Sequence, residues 1–113
     1  MHAAGLVKIT DASSTPQLAV GHRCVLVALR GFQGALAADA YVQLFDAAAT
    51  ADITVGTTKP DWVVQLDFGA GEVSDGDGLP NDGLVFTRGI VVASTTTATG
   101  SASATTQVRL AVV

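Results

Sequence analysis

The chain has 113 residues, 49% hydrophobic and 14% charged, with ten acidic against six basic side chains and a net charge of −4. That length suits one domain, residues 1–113. The apolar content excludes a disordered chain, and six singly scattered cations argue against a nucleic-acid partner. The charged share is low for a free-standing soluble protein, where about a quarter is usual. It points to a surface partly covered by a partner, with self-association the first expectation. The N-terminus MHAAGLVKITDAS lacks the basic start and apolar run of a signal peptide, and no stretch approaches the ~18 apolar residues of a membrane span. The expectation is a protein made in a cytoplasm, with no membrane partner.

In chain order, residues 6–10 (LVKIT) predict a first short strand, and residues 11–16 (DASSTP) a turn cluster. Residues 18–20 resume extended structure. Residues 24–30 (CVLVALR) predict a strand covered on both faces, ended by a turn at Gly31-Phe32-Gln33-Gly34. Residues 35–52 are rich in alanine and fit a helical stripe. Read as extended chain, they place Tyr41, Gln43 and Phe45 on one face and Val42 and Leu44 on the other. A strand over about residues 40–46 with an Ala-rich loop after it is favoured. Residues 53–55 predict a short strand. Residues 62–68 (WVVQLDF) alternate clearly, with Trp62, Val64, Leu66 and Phe68 on one side. Residues 69–83 read as one long loop. Residues 84–86 and 90–93 are strands broken at Arg88-Gly89, and residues 107–113 form the last strand, with Val108, Leu110 and Val112 on one face. The Thr/Ser/Ala-rich tract between the last two predicts a long C-terminal hairpin. The fold class is all-β: a single-domain β-sandwich, jelly-roll-like, of about seven or eight short strands.

Chemistry-bearing residues are few. Cys24 is the only cysteine, so no intrachain disulfide exists; inside an apolar run it reads as a small buried hydrophobe. Residues 72–82 hold Asp75, Asp77 and Asp82, the side chains a calcium-assisted reading would use. Leu79 occupies the next ligand position and no glutamate closes the loop, so turn chemistry accounts for the cluster and no metal is expected. A triad of Ser13, His22 and Asp39 has no local motif behind it; His2 lies beside the start. Trp62 would serve a carbohydrate-binding module as a stacking platform, but its alternation makes it a core anchor. No catalytic residue and no cofactor is expected. Residues 95–106 have three readings: an intersubunit β-arm, a free hairpin tip, or a glycosylated patch.

Residues 41–46 (YVQLFD) followed by 55–60 (VGTTKP), and residues 83–100 (GLVFTRGIVVASTTTATG), resemble in this order small β-rich virion structural proteins of tailed bacteriophages. The resemblance covers roughly residues 40–100 and transfers no catalytic residue. It implies a non-enzymatic particle component: a capsid decoration (cement) protein, or a neck or tail accessory. It implies a virion location, the host cytoplasm as the site of synthesis, and the major capsid or other virion proteins as partners. By analogy with decoration proteins at local three-fold positions, the chain is expected to form a homo-oligomer, a trimer. The expected contact residues are Ile90, Val92, Thr95, Thr96, Thr97, Thr99, Val108, Leu110 and Val112. Deleting residues 96–105 is expected to disturb assembly and leave the fold intact. The rival readings are a module binding a host surface or carbohydrate, and a small hydrolase built around His22.

Overall fold

The computed structural model describes residues 5–33, 40–66, 73–75, 79–80 and 82–113. Among them run nine strands: β1 (Gly5–Ala12), β2 (Gln17–Val20), β3 (Cys24–Gln33), β4 (Ala40–Asp46), β5 (Trp62–Leu66), β6 (Val73–Asp75), β7 (Leu84–Phe86), β8 (Ile90–Thr95) and β9 (Thr106–Val112). Among the described residues the one helical element is a 3-10 turn, Thr50–Asp52. Two antiparallel sheets result. The first, sheet A, has the order β1-β9-β3-β6 with β7 also on β3; the second, sheet B, has the order β2-β8-β4-β5. The pairing is nested. β1 pairs β9, β2 pairs β8, β3 pairs β7 and β6, and β4 pairs β5. Outermost strands in sequence therefore pair with each other, as in a long hairpin rolled up on itself.

The sheets share one apolar core. Period-two alternation, shifted by one residue at the irregularity between Leu26 and Ala28, aims Ile9, Leu26, Leu29, Val108 and Leu110 of sheet A at Val42, Leu44, Val64, Leu66, Ile90 and Val92 of sheet B. Trp62 is half-buried against this core, as its alternation predicts. Cys24 is buried among the same residues. Burial first, and the Asp46 carboxylate second, raise its thiol pKa, so it stays a neutral small hydrophobe.

The strands over residues 6–10, 18–20, 24–30, 40–46, 84–86 and 90–93 are where alternation and turn residues place them. The structure departs from expectation at four places. The turn at Gly31 does not form, because β3 continues through it to Gln33. A Cβ on Gly31 would collide with the Leu66 side chain of the facing sheet, so this glycine allows the sheets to close rather than the chain to turn. Residues 53–55 are not a strand. Ile53 follows the 3-10 turn, and Val55 opens a turn in which Thr57 and Thr58 both donate to the Thr54 carbonyl. The expected loop of residues 69–83 contains β6, which pairs β3 at Arg30, Gly31 and Phe32. Lastly, β8 and β9 do not form a hairpin: they lie in different sheets, and residues 96–105 cross between them. The helical alternative for residues 35–39, and Asp67 and Phe68, fall outside the described residues.

Candidate interaction surface

The Thr-rich tract folds back on its own chain. Thr96 N–H donates to the Ala102 carbonyl (2.9 Å) and Ala104 N–H to the Ser94 carbonyl (3.2 Å). Thr95 and Ser103 form an isolated bridge. The peg beneath it is Gln43 on β4. Its side-chain amide donates to Thr95 Oγ1 (2.8 Å) and the Gly100 carbonyl (3.1 Å), with the Thr97 carbonyl at 3.5 Å. Thr95 Oγ1 passes its own proton to the Thr97 carbonyl (2.7 Å). Gln43 is fully buried, and its Oε1 has no partner among the described residues. The tract and residues 47–58 together roof the outer face of sheet B. Under that roof Phe45, Ala47, Val91 and Ala93 form a second buried cluster, with Ile53 and Val55 packed on it.

This placement reassigns most of the expected contact residues. Ile90, Val92, Thr95, Val108 and Leu110 are buried within the protomer, and Val112 packs against the core. Their side chains are occupied inside the chain. Of the expected contact residues, only Thr96, Thr97 and Thr99 are exposed. Deleting residues 96–105 would strip a roof from sheet B, so the expectation of an intact fold is withdrawn.

A clasp missed by the sequence reading fixes the far end of sheet B. Asp46 accepts from Thr87 N–H (3.1 Å), Thr87 Oγ1 (2.9 Å) and Arg88 N–H (2.8 Å), while Arg88 Nη2 donates to the Asp46 carbonyl (2.6 Å). Burial alone would raise the Asp46 pKa. The Arg88 and Thr87 amides, the Thr87 hydroxyl and the Gly89 amide outweigh it and hold the carboxyl below its ordinary value. Gly89 next in line has φ 148°, and a Cβ there would strike the Val20 and Ala47 carbonyls. A carboxylate ending one strand and a Thr-Arg-Gly turn opening another is the only sequence signal for this clasp.

Asp77, Asp39 and His2 lie outside the described residues; Asp75 is on β6 and Asp82 is exposed in a turn. Among the described residues, no group of three or more His, Cys, Asp or Glu side chains is gathered as metal ligands. His22 is exposed, and its Nδ1 donates to the Arg23 carbonyl (3.0 Å).

The outer face of sheet A is different in kind. Register puts Lys8 of β1 opposite Arg109 of β9, and Arg109 opposite Arg30 of β3. All three are exposed. The next outward row is Leu6, Ala111 and Ala28, and the one after is Val113, Val25 and Val85. Val27 is displaced outward where the β3–β9 register shifts. Leu6, Val27, Val85 and Val113 are 60%, 40%, 49% and 46% exposed. No family model, curated protein or solved structure matches the chain. The surface itself is therefore the guide to function, and its cation row is invisible in the sequence, where the three residues stand far apart.

Proposed function

We propose that this chain is a non-enzymatic structural subunit of a tailed-bacteriophage virion, a capsid decoration (cement) protein that self-associates and stabilises the particle. The observation that carries the docking part of this reading is the outer face of sheet A, uncovered among the described residues, while self-association rests on the resemblance and on the low charge of the chain. Apolar side chains in adjacent rows on a soluble surface mark an interaction site, and here they sit on a molecule with few charges elsewhere to keep it solitary. The nested strand pairing supports reading the architecture as a jelly roll, which viral capsid and lectin domains and cupins use. Architecture alone assigns no function, and the resemblance of residues 40–100 to phage virion proteins is what selects among these. Light scattering on the eluting protein at several concentrations, with co-sedimentation on phage particles lacking it, tests the proposal. A trimer that sediments with particles is the expected result. A monomer that stays in the supernatant overturns it.

A further inference from the structure

Resting on that reading, we propose that the outer face of sheet A docks an acidic protein surface with an apolar flank, on a partner different from this chain. The charge layout carries the argument. The chain has only six basic residues, and three of them, Lys8, Arg109 and Arg30, stand side by side across three strands. Like charges directly opposite on neighbouring strands destabilise a sheet. Arg30 already has an interaction within the chain and faces Asp75 in the register, so Lys8 and Arg109 are the residues the proposal leans on. A carboxylate row on the partner relieves their repulsion while Leu6, Ala111, Ala28, Val25 and Val85 meet its apolar flank.

A second copy of this face does not fit. Two copies stacked face to face would desolvate two cation rows, and the one acid in register with them, Asp75, already stands opposite Arg30 of its own chain. From strand and residue spacings, the three rows cover about 300 Å², against the ~800 Å² per partner of a standard interface. A patch this small binds weakly once and well only when repeated on an array. Nucleic acid would satisfy the cations and leave both apolar rows against phosphate.

The test titrates the isotope-labelled protein with a random glutamate–tyrosine copolymer, which is both acidic and apolar, and follows backbone amides. Polyglutamate, duplex DNA and phosphatidylserine vesicles form the other arms. The expected result is shifts confined to β1, β9 and β3 around Lys8, Arg109 and Ala111, loss of binding in high salt, and weaker binding to polyglutamate. Lys8→Glu with Arg109→Glu should bind at least about tenfold more weakly at unchanged fold. Leu6→Ser with Val85→Ser gives a second, independent loss should the charge reversal fail to fold. Shifts on sheet B, no shifts, tighter binding to DNA or vesicles, or a dimer formed through this face each overturn the inference. None of these results depends on a particle. A protein that binds the copolymer but does not sediment with phage particles overturns the virion reading alone.

Discussion

The two outer faces of the sandwich started from the same rule and ended differently. Each sheet turns one set of alternating side chains inward and the other outward. Sheet B roofs its outward set with its own chain: Ala47, Ile53 and Val55 pack with Phe45, Val91 and Ala93, and the Thr-rich tract is bonded to the buried Gln43 amide. Sheet A leaves Leu6, Val27 and Val85 in water beside a row of cations. Burying an outer face costs conformational entropy in the covering loops, and sheet B recovers that through a small cluster and the Gln43 amide. Sheet A has no such cover among the described residues, which is what a face awaiting another molecule requires.

Equivalent truncations on the two faces separate them most sharply. Phe45→Ala should cost about 3–5 kcal/mol in a denaturant melt, because the ring is buried under the roof. Gln43→Ala should cost about 1–3 kcal/mol by leaving the Gly100 carbonyl without its Gln43 donor. Hydrogen exchange should then accelerate at the Thr96 and Ala104 amides while β9 stays protected. Equal acceleration across β9 would mean that the roof and sheet A unfold as one unit. Asp46→Asn should cost about 1–2 kcal/mol at neutral pH, a figure kept small by solvent exposure of the clasp. The folded Asp46 pKa is lowered, so its contribution is complete above the unfolded carboxylate range of about pH 4 and is lost as pH falls through the folded value. Melts of wild type and D46N should therefore differ at pH 7 and converge in acid. Smallest of all, Leu6→Ser with Val85→Ser should change stability by no more than about 0.5 kcal/mol. A cost of several kcal/mol would mean that these side chains are covered within the protomer, and the contrast between the faces would vanish.

Much of the fold was legible because strand alternation is local. Residues 62–66 announced a half-buried strand, and the Gln43 position was already on one face with Tyr41 and Phe45. What escaped was whatever depends on distant partners. Gly31 looked like punctuation because its reason, Leu66, is 35 positions away in the chain and on the opposite sheet. Residues 53–55 imitated a strand since Ile53 and Val55 serve an apolar roof rather than a ladder. β6 escaped because three residues among glycines and acids carry no period. The cation row on sheet A was illegible for the same reason. Lys8, Arg30 and Arg109 become neighbours only through register, and most of the residues expected to make contacts are buried on β8 and β9.

The nested pairing also sets an order of events. β4 and β5 can meet as soon as both exist, whereas β9, the middle strand between β1 and β3, is made after every other described strand. Until residue 112 has left the ribosome, β1 and β3 have no strand to bind between them, and the inward side chains of sheet A have no finished layer to join. Sheet A therefore closes late and all at once. Non-local closure of this kind is slow, on the order of milliseconds to seconds, and during that interval the growing chain exposes the strand edges through which unfinished β proteins associate.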